Sequence, residues 1–126
     1  MYELIPIRKQ DWEAIRVWRN EQESILRQDH KVTPEEQGQY SKRYYKQIED
    51  PYPKQVLYSF LDEHDNLISY GGLVHISHRS KSSEISYLTN PIRKTDLLKY
   101  TTEWLIFLTL LREKAKNIGI IKKSIF

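Results

Sequence analysis

Three strand-like segments in close succession, followed by one long amphipathic helix, constrain the fold of this chain more than any other feature. The segments cover 55–62, 67–78 and 83–89, and the four-residue connections between them predict an antiparallel meander. Apolar residues then alternate spacings of four and three from Leu97 to Ala115, which predicts a helix over 96–117. This order indicates an α+β domain whose helices cover a mainly antiparallel sheet.

The N-terminal half contributes a short strand and two helices. A strand is expected at 2–7, and Asp11 is expected to cap a helix that carries Trp12, Ile15 and Trp18 on one face. The sequence Thr33-Pro34-Glu35-Glu36 has the residue types that start a helix, which should end near 50–51. Between them, 21–31 is either a short helix or a loop.

Glycines mark two further positions. Gly71-Gly72 lies inside the second segment of the meander and indicates either a bulge or the close approach of another backbone. Gly119 follows the long helix and is suited to its C-terminal cap. A last apolar run at 120–126 is expected to form a further strand.

Composition excludes several classes of site. The 126 residues contain no cysteine, which rules out disulfide scaffolds, thiol nucleophiles and cysteine-based zinc or iron–sulfur centres. His75 and His78 are three apart on a strand and so on opposite faces, and His30 and His64 lie in expected loops, so we expect no metal site. The length predicts one domain over 1–126.

The N-terminal sequence and the longest apolar run predict a cytoplasmic protein. The first residues lack a signal-peptide pattern, and the longest apolar run, 104–111, is too short to span a bilayer. The net charge of +3 gives a mild preference for anionic ligands. Because the basic residues are dispersed, we expect no nucleic-acid partner.

Three local patterns, in this order along the chain, carry a family resemblance. The first is Trp18-Arg19-Asn20 after the first helix, followed by the capped helix that starts at Thr33-Pro34-Glu35-Glu36. The other two are Ile68-Ser69-Tyr70-Gly71-Gly72-Leu73 and Ser83-Glu84-Ile85-Ser86-Tyr87-Leu88, the latter followed by Asn90-Pro91. Together they resemble the GNAT superfamily of acetyl-CoA-dependent N-acetyltransferases, in particular members that act on ribosomal proteins and amino sugars. The resemblance implies a GNAT-like fold that is shortened at the C-terminus, with 120–126 as its fifth strand.

The resemblance also implies acetyl-CoA as co-substrate. Its pantetheine arm would enter between the diverging fourth and fifth strands and pair with the backbone of Ile85, Tyr87 and Leu88. Its pyrophosphate would bind at the start of the long helix, where backbone N–H groups and the helix dipole favour an anion. The family usually has a glycine-rich loop there, whereas residues 92–97 contain no glycine. The expected compensating residues are Arg93, Lys94, Thr95 and Lys99.

For catalysis, the resemblance implies direct attack of an amine on the thioester. Glu84 is the expected base, directly or through water, because alternation along the strand places it on the face opposite Ile85 and Tyr87. His75 and His78 are the weaker alternatives. A backbone N–H near Leu88 would polarise the carbonyl group. Tyr87 is the expected acid, with Tyr70 and Tyr100 as alternatives.

The sequence therefore leaves three hypotheses for the function. The first is an N-acetyltransferase for a small-molecule or peptide amine. The second is an inactive GNAT-like remnant that binds coenzyme A or a protein, and the third is a nucleic-acid-binding module using Arg79, Lys81, Arg93 and Lys94. The aromatic residues of the first helices either line the binding site of the acceptor amine or serve only core and surface packing (Trp12, Trp18, Tyr40, Tyr44, Tyr45). A homodimer joined through the C-terminal strand is expected, because an exposed sheet edge invites pairing.

Overall fold

The computed structural model describes residues 1–22 and 30–118, together with the backbone of Lys123–Ser124. In this part of the chain one sheet has the order β1-β2-β3-β4-β5. Its strands are β1 (Glu3–Pro6), β2 (Val56–Leu61), β3 (Leu67–Ser77), β4 (Ser82–Thr89) and β5 (Lys123–Ser124). The pairs β1–β2, β2–β3 and β3–β4 are antiparallel, and β5 runs parallel to β4. The predicted meander and the α+β class are confirmed.

The described α-helices are α1 (Trp12–Glu21), α2 (Pro34–Gln47) and α3 (Leu97–Asn117). The predicted start of α2 is confirmed: the Glu36 N–H donates to Thr33 Oγ1 at 3.1 Å, and the Thr33 N–H donates to Glu36 Oε1 at 3.0 Å. α3 begins after Asp96, whose Oδ1 accepts the Lys99 N–H at 3.1 Å. None of the described helices has both the length and the apolar character needed to cross a bilayer.

The sheet separates two apolar cores. On one face, Phe60 and Leu73 of the sheet pack with Phe107 and Leu111 of α3. On the other face, residues of α1 and α2 pack with β2, β3 and β4 (Ile15, Trp18, Tyr44, Leu57, Tyr70, Leu88). The helices therefore cover both faces, with α1 and α2 on one and α3 on the other.

The glycine pair of β3 lies where strands approach closely. A Cβ atom at Gly71 would come within 2.1 Å of the Ser86 carbonyl oxygen, and one at Gly72 within 2.1 Å of the Val56 carbonyl oxygen. The register shifts further along, between Val74 and Ser77, and His75 in this bulge has a φ of 50°. Close approach is thus the reason for the glycines, and the bulge lies elsewhere.

Asp11 occupies the N-cap position of α1, but the predicted cap by its side chain is wrong, because the carboxylate makes no capping hydrogen bond. The carboxylate pairs with Arg8 at 2.7 Å and accepts a hydrogen bond from Ser59 Oγ at 2.6 Å. A turn of 3-10 helix at Lys9–Asp11 precedes α1 and presents the carboxylate to these partners. Asp11 therefore ties the N-terminal segment to β2.

The remaining predicted boundaries differ in detail. α2 ends at Gln47, three residues before the predicted end. For residues 21–31 a short helix and a loop were the two alternatives, and residues 23–29 of this segment lie outside the described residues. The predicted cap at Gly119 also lies outside them. Of the predicted fifth strand, only the backbone pairing of Lys123 with Ser82 and of Ser124 with Ser83 is described.

Candidate functional site

A cavity of about 790 Å³ lies on the face of the sheet that α1 and α2 cover. We call it the large cavity. Both helices and the strands β2, β3 and β4 contribute to its wall. Its lining residues are Arg19, Tyr40, Gln47, Lys54, Gln55, Leu57, Tyr70, Val74, His75, Ile76 and Ser86.

Polar side chains of the large cavity are held by hydrogen bonds to one another. Arg19 Nη1 donates to the Tyr70 hydroxyl at 3.3 Å, and the Tyr40 hydroxyl donates to Gln55 Oε1 at 3.1 Å. The Gln47 amide donates to the Gln55 carbonyl at 2.8 Å. Burial raises the pKa of Tyr40 above its ordinary value, so this hydroxyl stays protonated at neutral pH. The wall therefore offers fixed polar groups on an aromatic surface.

Glu84 and His75 form a pair at the edge of the large cavity. His75 Nδ1 lies 2.5 Å from Glu84 Oε2, and both side chains are more than half exposed. Glu84 lies opposite Val74 in the register, and the bulge at His75 brings the imidazole to the cavity wall. An exposed pair of this kind adds little to stability. Of the two residues, only His75 is among the described lining residues of the large cavity, and Glu84 is hydrogen-bonded to His75.

The backbone of β4 alternates between β3 and the outer edge of the strand. Asn90 N–H donates to the Ile68 carbonyl at 3.0 Å, so even-numbered residues of this part of β4 direct their backbone groups at β3. The N–H groups of Ile85, Tyr87 and Thr89 consequently face outward. The Thr89 carbonyl agrees with this pattern, because it accepts a hydrogen bond from Gln22 Nε2 at 3.1 Å.

Because of this alternation, the predicted coenzyme contacts on β4 differ in the direction of their backbone groups. Ile85 and Tyr87 have outward backbone groups, as pairing with an extended ligand requires. The Leu88 N–H is directed at β3, and its side chain is buried beneath α1 and α2. The role of Leu88 stays a prediction, and Thr89, which the sequence analysis did not single out, holds the outward position beside it.

Tyr87 lies on the face of the sheet opposite the large cavity. Its ring centroid is 4.5 Å from that of Phe107 and 4.8 Å from that of Trp104, and its hydroxyl lies 3.1 Å from Ser69 Oγ. With α3 residues it lines a hollow of about 420 Å³, whose walls are Ile85, Tyr87, Tyr100, Thr101 and Trp104. Burial raises the pKa of Tyr87, which keeps the hydroxyl protonated at neutral pH. Glu84 and Tyr87 are thus on opposite faces of β4, as alternation predicts.

The start of α3 is already capped by protein groups. Residues Pro91–Thr95 form a 3-10 helix, and Thr95 Oγ1 donates to the Ile92 carbonyl at 2.8 Å. The Asp96 carboxylate accepts the Lys99 N–H, so a negative charge occupies the position where the resemblance implies an anion. Asp96 is thus the side chain that caps α3.

Two of the predicted phosphate-binding cations have protein partners. Arg93 forms an ion pair with the carboxylate of Glu103, which is completely buried in α3. Lys94 Nζ donates to Gln22 Oε1 at 2.7 Å. Arg93, Lys94, Thr95 and Lys99 all belong to the segment around the start of α3, and the first three make structural contacts there.

Sequence reasoning missed Gln22 and Glu103. Gln22 is buried and connects the end of α1 to Thr89 and Lys94. Glu103 occupies a core position of α3, which the spacing of the apolar residues does not mark. A charged residue on the buried side of an amphipathic helix was the available hint, because such a residue requires a partner.

Comparison with known proteins gives a family and a fold. A family model for the acetyltransferase (GNAT) domain matches residues 4–126. An N-acetyltransferase from Staphylococcus aureus Mu50 superposes with a TM-score of 0.68 at 13% identity, over 95% of this chain and 69% of that chain. Spermidine N-acetyltransferase from Vibrio cholerae, in complex with CoA and spermine, superposes with a TM-score of 0.57 at 20% identity, over 71% of this chain and 52% of that chain.

These similarities concern the fold, since the identities are low. No functionally curated protein matches the sequence. The chain spans about half the length of the spermidine N-acetyltransferases that it matches.

Proposed function

The chain belongs to the GNAT acetyltransferase family, and from this premise we propose that it transfers an acetyl group from acetyl-CoA to an amine nitrogen. One observation carries the proposal beyond family membership. The large cavity reaches β4 at Ser86, directly between Ile85 and Tyr87, whose backbone groups face the outer edge of the same strand. An acceptor in the cavity and a donor along this edge would meet at β4.

We propose that the pantetheine arm pairs with the outward backbone groups of Ile85 and Tyr87 and with the outward N–H group of Thr89, whose carbonyl is bonded to Gln22. Among the described residues, β5 pairs with β4 only at Ser82 and Ser83. The hollow lined by Tyr87, Tyr100 and Trp104 offers aromatic surface beside this edge. The Ile121 region of the expected gap lies outside the described residues, so this binding mode stays a proposal.

The pyrophosphate contact at Arg93, Lys94, Thr95 and Lys99 also stays a proposal. The Lys99 ammonium has no partner in the part of the chain that the structure describes, and it can reach an anion near the start of α3. Lys94 would have to exchange Gln22 for a phosphate, and Arg93 would have to leave a buried carboxylate. Exposed Lys99 is therefore the strongest of these candidates.

We propose that Glu84 and His75 act together as the base. In the reaction, the amine nitrogen attacks the thioester carbonyl carbon, a C–N bond forms, and the C–S bond breaks. The amine proton passes to Nε2 of His75, while Nδ1 of the same ring is hydrogen-bonded to Glu84. The thiolate takes a proton from Tyr87 or from water. The Tyr87 hydroxyl carries a proton at neutral pH, and its raised pKa makes it a weaker acid than an exposed tyrosine. Holding both substrates at β4 supplies a further rate advantage.

The test combines calorimetry with a thiol-release assay. Micromolar binding of acetyl-CoA and amine-dependent thiol release are expected, and Glu84→Gln and His75→Gln should each reduce turnover about 10²-fold or more while acetyl-CoA binding is retained. Glu63→Gln, in the exposed turn between β2 and β3, is the matched control. Unchanged turnover in the Glu84 and His75 variants would remove the pair from the mechanism.

A non-catalytic GNAT-like module is the second candidate. The capped start of α3 favours it, because Asp96 and the Arg93–Glu103 pair leave no preformed phosphate cradle. This candidate predicts weak or absent acetyl-CoA binding in the same calorimetry. Thiol release with any amine would exclude it.

Location and assembly complete the proposal. We propose a cytoplasmic homodimer joined through the C-terminal strand, and the backbone of β5 at the edge of the sheet supports this arrangement. Sedimentation velocity should show an association that depends on concentration. A monomer over the whole concentration range would contradict the dimer.

A further inference from the structure

The charge on the wall of the large cavity bears on which amines it accepts. Among the described lining residues there is no aspartate or glutamate, whereas Arg19 and Lys54 carry positive charge and His75 is held by Glu84. A cavity of this volume admits a small molecule. Among these described residues the charge is positive, which is opposite to what a ligand with several ammonium groups requires.

Lys54 is fixed at the rim of the cavity by its backbone. Its N–H donates to Gln47 Oε1 at 3.1 Å, and its carbonyl accepts the Ile76 N–H at 2.9 Å. The side chain is exposed and makes no ion pair within the described residues. The ammonium group is therefore kept beside the cavity without a protein carboxylate to neutralise it.

Arg19 brings a second positive charge on the α1 side of the cavity. It is half-buried, and its guanidinium donates to the Tyr70 hydroxyl. The Tyr40 hydroxyl and the Gln55 amide lie in the same wall and supply neutral polar contacts.

We infer that the acceptor amine carries a carboxylate or another anionic group, and that the large cavity disfavours polyamines. This inference rests on the proposed function, which makes the cavity the acceptor site. The anionic group would lie toward Lys54 and Arg19, with the amine toward His75. A second ammonium group in the same place would meet like charge, which costs about 1 kcal/mol at 4 Å even in bulk water.

The test compares matched acceptors in the thiol-release assay. α-Amino acids are compared with their α-amides, which differ only in the anionic group, and with spermidine as a polyamine. We expect kcat/KM to be at least about tenfold higher for the acids than for the amides, and lowest for spermidine. A preference for spermidine, or equal rates for acids and amides, would overturn the inference.

A charge reversal at the rim sharpens the comparison. Lys54→Glu should lower kcat/KM for the acids and raise it for the amides, while Lys42→Glu, on the exposed side of α2 and outside the cavity wall, should leave the ratio unchanged. An unchanged ratio in Lys54→Glu would also overturn the inference.

Equilibrium binding separates this inference from the proposed function. If no amine supports thiol release, acetyl transfer fails, and calorimetry with N-acetyl amino acids and their amides still reports the selectivity of the cavity. Preferential binding of the acids, weakened by Lys54→Glu, supports the inference in that case. Absence of binding, or equal binding of acid and amide, contradicts it.

Discussion

The guanidinium of Arg93 lies against the carboxylate of Glu103, with Nε 3.1 Å from Oε1 and Nη2 bonded to Oε2. Glu103 is completely buried, and the Tyr2 hydroxyl donates a further hydrogen bond to it at 3.0 Å. The hydrogen bond with Glu103 is also the main reason why the pKa of Arg93 is raised. This contact joins the segment before α3 to α3 itself and to the N-terminus.

Removing Arg93 should destabilise the protein strongly. Arg93→Met leaves the Glu103 carboxylate buried with only a tyrosine hydroxyl, which is expected to lower the free energy of unfolding by about 3–5 kcal/mol. Urea denaturation measures this change. The double variant with Glu103→Leu should recover most of the loss, because no buried charge remains. Full stability in Arg93→Met alone would mean that the pair contributes nothing.

Gly71 and Gly38 form a matched pair for a single added methyl group. Gly71→Ala forces a Cβ atom onto the Ser86 carbonyl oxygen, so the expected loss is about 1–3 kcal/mol or more. Gly38 in α2 has no heavy atom within 4 Å of the added Cβ, so Gly38→Ala should stabilise by about 0.5–1 kcal/mol. Thermal denaturation compares the two, and a harmless Gly71→Ala would be inconsistent with the close approach of β3 and β4.

Asp96 provides a test of the proposed phosphate contact. If the phosphates of acetyl-CoA bind at the start of α3, Asp96→Asn removes a repulsive charge and keeps the cap, so affinity should rise about fivefold. Calorimetry at low salt measures the change, which should shrink at higher ionic strength. Asp50→Asn, after α2, is the control because Asp50 likewise accepts a backbone N–H. Identical affinities for wild type and Asp96→Asn would place the phosphates elsewhere.

Tyr44 should make the protein sensitive to alkali. Burial raises its pKa to about 12 from an ordinary value of 10.0, so the folded state holds the proton more tightly than the unfolded state. The stability from this difference is present below pH 10 and is lost between pH 10 and about 12. Urea denaturation across this range should show a smaller alkaline loss for Tyr44→Phe than for wild type. That variant should also be less stable at neutral pH, because the Leu57 N–H loses its acceptor at 2.8 Å. Parallel alkaline losses would exclude Tyr44 as a source of the effect.

The periodic part of the fold could be read from the sequence, because its signals are local. β2, β3, β4 and α3 follow patterns of spacing two and of three and four, and turn residues mark their ends. The cap of α2 was likewise predictable, since Thr33 and Glu36 contact each other within one turn. The alternation that places Glu84 opposite Tyr87 has the same local origin.

The misplaced residues have partners far along the chain. Asp11 looked like a helix cap, but its carboxylate binds Ser59 on another element. Arg93 and Lys94 looked free to bind phosphate, whereas Glu103 and Gln22 hold them. The partners of these long side chains come close only in the folded chain. Local sequence therefore cannot specify their contacts.

The large cavity and the hollow at Tyr87 open on opposite faces of the sheet at β4. The large cavity borders β4 beneath α1 and α2, whereas the hollow at Tyr87 and Trp104 lies beneath α3. Two ligands occupying them would not obstruct each other's entry, so neither would have to bind first. Initial-rate plots with both substrates varied would then give intersecting lines, and each product would inhibit competitively against the substrate that shares its hollow.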